Sequence, residues 1–165
     1  IVYTGFLYAG LMIGNNGQVK TLEFNCRLGD PETQAIMMRL KTDLFEILWA
    51  ATEPSASSRL DQIDMQWDRR TALGVVLAAH GYPQQPRIGD VISGLPPEAP
   101  DAMVFHAGTR RSGEALATSG GRVLCVAALA DNVRKAQLRA YDIVKAIRIE
   151  GAQCRSDIGH RAIGK

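Results

Sequence analysis

The segment Glu23-Phe24-Asn25-Cys26-Arg27-Leu28 combines residue types that could perform chemistry together. Side chains alternate along a β-strand, so Glu23, Asn25 and Arg27 would share one face, each about 7 Å from the next. Carboxylate and amide oxygens are the hard ligands that Mg²⁺ prefers, and a guanidinium can hold an anion through paired hydrogen bonds. The segment therefore predicts a metal site beside an anion site. The alternative interpretation is an antiparallel strand with a solvated polar face.

A β-hairpin is predicted to present these side chains. The apolar run 6–13, the turn residues Gly14-Asn15-Asn16-Gly17 and the segment 19–28 follow one another in the order that a hairpin requires. The first strand is apolar without interruption, which is typical of a strand covered on both faces. A polar stripe on its neighbour would then line a cleft. This context gives a functional site and a solvated face similar weight.

A helix is predicted to start where the second strand ends, at Gly29-Asp30-Pro31-Glu32, and to continue to Leu40. Asp30 can cap the free N–H groups, Pro31 suits the first helical position, and Glu32 suits the positive end of the helix dipole. The N–H groups of a helix start also attract anions, but these carboxylates would compete for them. The residue types alone therefore favour simple capping.

The rest of the chain predicts a second unit. Another helix is expected from Thr42 to Glu53-Pro54, and the stretch 55–64, rich in Ser and Ala, indicates an inter-domain connection. A long helix with apolar residues at 3.6-residue spacing should begin at Asn132 and end at Gly151. Five strands are predicted between them, at residues 73–79, 90–93, 103–107, 114–118 and 122–129. The fold class is therefore α+β.

The composition excludes several classes of function. A net charge of +2, with basic residues that are scattered, does not favour nucleic-acid binding. No apolar run reaches the roughly 18 residues needed to span a membrane. The three cysteines are far apart and form no CxxC pattern, which fits a reducing compartment. The first residues contain neither an initiator Met nor a signal-peptide pattern, so the chain is expected to begin within a domain.

Longer motifs in both parts of the chain resemble one family. Residues 3–12 and 22–34 closely resemble the end of the ATP-grasp domain of glycinamide ribonucleotide synthetases (phosphoribosylamine–glycine ligases), and later motifs resemble the C-terminal domain of that family. The later motifs are Gly81-Tyr82-Pro83 and residues 105–109, 120–124 and 157–163. The resemblance covers nearly the whole chain. The string from Glu23 to Gln34 is specific to this ligase family, whereas Glu-x-Asn alone marks the wider ATP-grasp group.

The resemblance implies two domains. Residues 1–62 would be the C-terminal portion of an ATP-grasp domain, made of the β-hairpin and helices. Residues 63–165 would be a small mixed α/β C-terminal domain with antiparallel strands and one long helix.

The resemblance also implies a reaction and the residues that perform it. The family joins glycine to 5-phosphoribosylamine through glycyl phosphate, in cytoplasmic purine (IMP) biosynthesis, with ATP as co-substrate. By position in the motif, Glu23 and Asn25 would hold the Mg²⁺ or Mn²⁺ that bridges the ATP phosphates. Arg27 would be catalytic and substrate-binding, and would stabilise the carboxylate or the acyl phosphate. Asp30 and Glu32 would orient the incoming amine or support Arg27.

The chain also departs from the family pattern. Many ATP-grasp enzymes carry a further metal carboxylate on the strand before the hairpin turn, and Tyr8-Ala9-Gly10-Leu11-Met12 has none. The lid, the ATP-binding lysine and the N-terminal substrate domain are expected before Ile1, so that N-terminal part is an implied partner and the fragment alone is expected to be inactive. Two alternatives stay open: another ATP-grasp carboxylate–amine ligase, and a non-catalytic fragment that binds a nucleotide or a partner.

Overall fold

The computed structural model describes residues 3–54, 57 and 59–163, and the chain divides into two compact units. The hairpin unit consists of residues 1–33 and 40–67, and the C-terminal unit consists of residues 34–39 and 68–165. Helix α1 (Glu32–Arg39) begins in the hairpin unit and continues into the C-terminal unit. Antiparallel sheets and α-helices make up both units, so the predicted α+β class is confirmed.

The hairpin unit contains the predicted hairpin, formed by β1 (Tyr8–Ile13) and β2 (Val19–Asn25). Gly17, with a φ of 76°, closes the turn by donating its N–H to the carbonyl of Gly14 at 2.9 Å. Strand β2 ends at Asn25, three residues before the predicted end, because the chain bends at residues 26 and 27. The prediction that the strand pattern extends to residue 28 was therefore wrong.

The prediction that the first strand is covered on both faces is also wrong for this chain. Leu7 is 62% exposed, and Leu11 and Ile13 of β1 are 52% and 67% exposed. The physical reason is that β1 and β2 form a two-stranded sheet by themselves. Within the described part of the hairpin unit, only Gly29 and Ala50 are buried. This unit has almost no apolar core of its own.

The second helix and the connection complete the hairpin unit. Helix α2 (Leu44–Thr52) starts at Asp43, whose carboxylate accepts a hydrogen bond from the Phe45 amide at 2.8 Å. Residues 55, 56 and 58 of the predicted connection 55–64 lie outside the described residues. Leu60–Gln62 forms a short 3₁₀-helix.

The C-terminal unit contains two three-stranded antiparallel sheets. The first has the order β3-β8-β5 and the second the order β4-β7-β6. The strands are β3 (Thr71–Ala78), β4 (Val91–Ile92), β5 (Ala102–His106), β6 (Thr109–Ser112), β7 (Ala115–Thr118) and β8 (Arg122–Ala130). The five predicted strands are confirmed. Strand β6 was missed because its sequence, Thr-Arg-Arg-Ser, has no apolar residue.

Helix α3 (Val133–Ala146) packs against β3 and β8. Its predicted start is confirmed, because the Asn132 side chain accepts a hydrogen bond from the Lys135 amide at 3.0 Å. The helix ends at Ala146 rather than at the predicted Gly151, since the backbone of Ile147 is already extended. Among the described residues, no helix combines the length and the apolar character that crossing a membrane requires.

The core of the C-terminal unit is centred on β8. Every residue from Val123 to Leu129 is buried, because β8 pairs with a strand on each side and α3 packs against it. Ala136 and Ala140 of α3 are fully buried, and their small side chains allow the helix backbone to approach the sheet closely. Full burial of one large aliphatic side chain contributes about 1.5–3 kcal/mol, so this core stabilises the unit.

The core makes a prediction about stability. Leu124→Ala should lower the free energy of unfolding by about 2–5 kcal/mol, because Leu124 is 1% exposed and its removal leaves a cavity. The matched control is Leu138→Ala on α3, where a 58% exposed side chain should cost less than about 1 kcal/mol. Urea unfolding followed by circular dichroism measures both. Equal losses in the two variants would contradict this location of the core.

Candidate functional site

The register of the hairpin determines which side chains share a face with the sequence motif. Tyr8 pairs with Asn25 and Gly10 pairs with Glu23, and a bulge at Leu22 shifts the register in the remainder of the hairpin. Residues directly opposite each other in an antiparallel pair project to the same side of the sheet. Tyr8, Gly10, Glu23 and Asn25 therefore lie on one face. The predicted pairing of Glu23 and Asn25 on a common face agrees with this register.

Gly10 makes room for the side chain of Glu23. A Cβ atom at position 10 would lie 3.1 Å from the Glu23 Cγ, which is closer than most such contacts. The glutamate stem thus crosses over the glycine of the neighbouring strand. The absence of a side chain at position 10 leaves this path open to a glutamate that is exposed on a two-stranded sheet.

The side chain of Asn25 has a polar atom that the described residues do not satisfy. Its Nδ2 is buried and has no hydrogen-bond partner among them. A buried polar group without a partner costs about 1–3 kcal/mol, so it usually marks a place where a ligand or water belongs. Rotation by half a turn about the Cβ–Cγ bond exchanges Nδ2 and Oδ1. The same position can therefore present an oxygen ligand.

A second carboxylate reaches this region from the start of α1. The Tyr8 hydroxyl donates a hydrogen bond to Oε1 of Glu32 at 3.3 Å. Gly29 is buried beneath this carboxylate, and a Cβ there would lie 3.0 Å from both Cβ and Cδ of Glu32. The amide of Thr33 donates to the Gly29 carbonyl at 3.1 Å, and the Thr33 hydroxyl donates to the same oxygen. Gly29 therefore lets the glutamate fold back towards the hairpin.

The electrostatics of Tyr8 show that several charged groups surround one hydroxyl. The pKa of Tyr8 is raised, first by the negative charge of Glu32 and then by burial, its hydrogen bond to Glu32 and the charge of Glu23, while the Arg27 guanidinium opposes the rise. Glu23, Arg27 and Glu32 therefore act on the same point in space. Tyr8 was not among the predicted site residues. Its signal was its position opposite Asn25, which only the register reveals.

The other two predicted residues lie on the bend and turn after β2. Arg27 is exposed and donates from Nη1 to the carbonyl of Leu28 at 3.0 Å. Because β2 ends at Asn25, strand alternation does not orient Arg27, and the bend brings it within electrostatic range of Tyr8. Asp30 lies in the turn that precedes α1, and its side chain is exposed.

The residues on this face fit part of a metal site. The described residues contain no cluster of three or more His, Cys, Asp or Glu side chains that could hold a metal ion. Glu23 and Asn25 provide one carboxylate and one amide, and rotation of the Asn25 amide would place Oδ1, a metal ligand, where the unsatisfied Nδ2 lies. Mg²⁺ is commonly held by one or two carboxylates together with substrate phosphates and water. The donor set thus suits an ion that is shared with a phosphorylated substrate.

Two family models match the chain. Residues 72–161 match the model described as phosphoribosylglycinamide synthetase, C domain, and residues 1–33 match the ATP-grasp (A) domain of the same synthetase. The second match contains Tyr8, Glu23, Asn25 and Glu32. The polar face of the hairpin therefore lies in the part of the chain that is similar to an ATP-grasp domain.

Individual relatives agree with the family models. The chain is 61% identical over 163 residues to a phosphoribosylamine–glycine ligase of Ralstonia nicotianae and 57% identical over 164 residues to one of Allochromatium vinosum. Each alignment covers 99% of this chain, but only 38% and 37% of the relative. A crystal structure of the phosphoribosylamine–glycine ligase of Thermotoga maritima is similar with a TM-score of 0.73 and 34% identity, covering 92% of this chain and 36% of that chain. The chain thus spans less than two fifths of the length of these proteins.

The close approach of Gly29 to Glu32 makes a prediction. Gly29→Ala should displace the Glu32 carboxylate from the Tyr8 hydroxyl, because the added methyl group would occupy the space of the glutamate side chain. Gly29 does not have a positive φ, so the substitution tests this contact and not backbone strain. A crystal structure of the variant should show the two side chains beyond hydrogen-bonding distance, and overpacking should cost about 1–3 kcal/mol of stability.

The double variant Gly29→Ala/Glu32→Ala serves as the control. Removal of the glutamate beyond Cβ should recover part of the stability that Gly29→Ala loses, because most of the contact is relieved. An unchanged Tyr8–Glu32 distance in the single variant would show that Gly29 does not control the position of this carboxylate.

Proposed function

Because this chain belongs to the phosphoribosylglycinamide (glycinamide ribonucleotide) synthetase family, we propose that it is part of a phosphoribosylamine–glycine ligase. The complete enzyme would convert ATP, glycine and 5-phosphoribosylamine into ADP, phosphate and glycinamide ribonucleotide, in the cytoplasm, as a step of de novo purine (IMP) biosynthesis. The observation that supports this most directly is the polar face of the hairpin. It combines Glu23 with the unsatisfied amide of Asn25 inside the segment that matches an ATP-grasp domain.

Two chemical steps make up the proposed reaction. The glycine carboxylate takes the γ-phosphoryl group, as one P–O bond to ADP breaks and a new P–O bond forms. The amine nitrogen then attacks the acyl carbon, the C–N bond forms, phosphate departs and the nitrogen releases one proton. Both steps develop or move negative charge, so positioned cations and hydrogen-bond donors accelerate them.

We assign the metal to Glu23 and Asn25. These residues would bind Mg²⁺ or Mn²⁺ together with ATP phosphates, since both lie on one strand face and supply oxygen ligands. When bound, such an ion neutralises charge on the phosphates. Gly10 leaves room for the Glu23 stem over β1, and the pairing with Tyr8 holds the backbone of Asn25 in register.

We assign the remaining residues to the substrates. Arg27 is a cation on the bend after β2, and it would bind the glycine carboxylate and then the acyl phosphate. Asp30 and Glu32 would orient the amine that attacks. Support for the role of Glu32 comes from its carboxylate, which is turned towards the hairpin by Tyr8 and Gly29. Asp30 is exposed in the adjacent turn.

We also propose the domain boundary that the sequence indicates. Residues 1–62 would be the C-terminal portion of the ATP-grasp domain, and residues 63–165 the C-terminal domain. The two family matches, at residues 1–33 and 72–161, lie on opposite sides of this boundary. The core around β8 lies wholly within the second part, which is consistent with a separate domain.

The metal assignment makes a prediction in the full-length protein. Glu23→Gln and Asn25→Ala should each lower glycine-dependent ADP formation by about 100-fold or more, because a bound metal ion is worth several kcal/mol to phosphoryl transfer. The Mg²⁺ concentration for half-maximal turnover should rise as well. The measurement is ADP release with ATP, glycine and phosphoribosylamine supplied, over a series of Mg²⁺ concentrations.

The matched control is Glu46→Gln, an equivalent change at an exposed glutamate of α2. This variant should retain the turnover of the unmodified protein. If Glu23→Gln and Asn25→Ala also retain it, the ligase function stands and the metal assignment fails. If the unmodified full-length protein forms ADP with another carboxylate and amine but not with glycine, a different ATP-grasp ligation replaces this proposal.

A further inference from the structure

Tyr8 is a polar residue of the hairpin face to which the proposed function gives no substrate role. Its side chain is half-buried, and its hydroxyl donates to Glu32 Oε1 at 3.3 Å. A phenol donates one hydrogen and has a rigid ring, so it can hold a carboxylate with little loss of side-chain freedom. Glu32 belongs to a separate element, α1, so this bond ties the start of the helix to β1.

The position of Tyr8 is fixed by the backbone of the hairpin. Tyr8 lies opposite Asn25, and Gly10 lies opposite Glu23, so the phenol shares a face with both proposed metal ligands. Gly10 and Tyr8 are two residues apart on β1 and therefore project to the same side. The hydroxyl thus connects Glu32 to the face on which the phosphorylated substrate would lie.

The turn before α1 also helps to determine the position of the Glu32 side chain. Gly29 leaves the space into which the glutamate folds, and two hydrogen bonds from Thr33 fix the Gly29 carbonyl. One oxygen of the Glu32 carboxylate accepts from Tyr8, which leaves lone pairs on both oxygens for a further donor. A carboxylate held in this manner suits a partner that carries positive charge or N–H groups, such as a primary amine.

We propose that the Tyr8 hydroxyl positions the Glu32 carboxylate so that Glu32 receives the amino group of a substrate. Tyr8 is a positioning residue in this arrangement, because it acts through Glu32 and not on the reacting atoms. The inference rests on the proposed ligase function and adds to it a specific binding contact for a primary amine. Both glycine and 5-phosphoribosylamine carry such a group, and the amine assigned to Glu32 is the attacking one, that of 5-phosphoribosylamine.

The test uses the full-length protein with Tyr8→Phe, which removes the hydroxyl and keeps the ring. The KM for 5-phosphoribosylamine should rise by about tenfold, as expected for loss of a hydrogen bond to a charged group, and the KM for glycine should stay unchanged. The KM for ATP should stay unchanged, because Glu23 and Asn25 are retained. A rise in the KM for glycine instead would overturn the proposal, because the glycine amino group is not the one that attacks.

A double-variant cycle tests whether Tyr8 acts through Glu32. Glu32→Gln should raise the same KM, and Tyr8→Phe added to Glu32→Gln should have little further effect. If the two substitutions raise this KM by independent factors, so that the KM of the double variant rises by their product, the proposal is overturned. Because the cycle compares proteins that already carry Glu32→Gln, it also remains informative if Tyr8→Phe alone lowers stability.

Tyr141→Phe is the matched control in the C-terminal unit. The Tyr141 hydroxyl donates to the Arg155 carbonyl at 2.6 Å and accepts from the Ile158 amide at 3.1 Å. Its loss should lower the melting temperature without changing either KM, since both hydrogen bonds are structural.

Failure of the proposed function and failure of this inference give different results. If the unmodified full-length protein shows no glycine-dependent ADP formation, the proposed function and this inference both fall. If it is active and Tyr8→Phe changes neither amine KM, or changes only the KM for ATP, the inference alone is overturned.

Discussion

The hairpin pairs Gly10 with Glu23 but Leu11 with Thr21, so Leu22 of β2 has no partner on β1. In an unbroken register, Ala9 would lie opposite Glu23. The extra residue moves the pairing by one position, and a shift of one position exchanges the faces on which side chains lie. The bulge therefore brings Gly10 beneath Glu23. The composition of the polar face depends on this single irregularity, and so does every contact proposed for it.

The two units are stabilised in different ways. The C-terminal unit buries Val123 to Leu129 beneath α3, and it has a large apolar core. The described part of the hairpin unit buries only Gly29 and Ala50. Geometry in the hairpin unit therefore depends on backbone pairing, on close approaches at glycine and on individual polar contacts. Hydrogen bonds have preferred distances and angles, so they orient individual side chains. The hydrophobic effect has no preferred direction, so an apolar core stabilises the fold mainly in proportion to the area it removes from water.

The sequence predicted well those features that are encoded by neighbouring residues. The turn at residues 14–17, the cap at Asn132 and the strands of the C-terminal unit with apolar residues all carry local signals, and the start of α2, predicted at Thr42, lies within one residue of its cap, Asp43. The end of α3 was predicted four or five residues too late, because the glycine at 151 lies beyond an extended segment that begins at Ile147. Strand β6 was missed because it is polar and exposed, and is defined by its pairing with β7.

In the candidate site, too, features encoded by neighbouring residues could be predicted, whereas features that depend on pairing between strands could not. Glu23 and Asn25 could be placed on one face from their spacing alone, because every second residue of a strand points to the same side. Tyr8 could not be added to them, since a bulge leaves no fixed signature in the strand sequence. Arg27 was assigned to the strand face by the same alternation, but the strand ends before it.

The unsatisfied amide of Asn25 connects these observations to function. An orphaned buried donor costs about 1–3 kcal/mol, which is a large part of the 5–15 kcal/mol by which domains are usually stable. The negative charges of Glu32 and Glu23 both raise the pKa of Tyr8, so both carboxylates act on one hydroxyl in a unit with little core. The two carboxylates give this face negative charge, which attracts cations. With the Asn25 side chain turned so that Oδ1 faces the ion, an ion at Glu23 and Asn25 and an amine at Glu32 would each be attracted to the negative charge of this face.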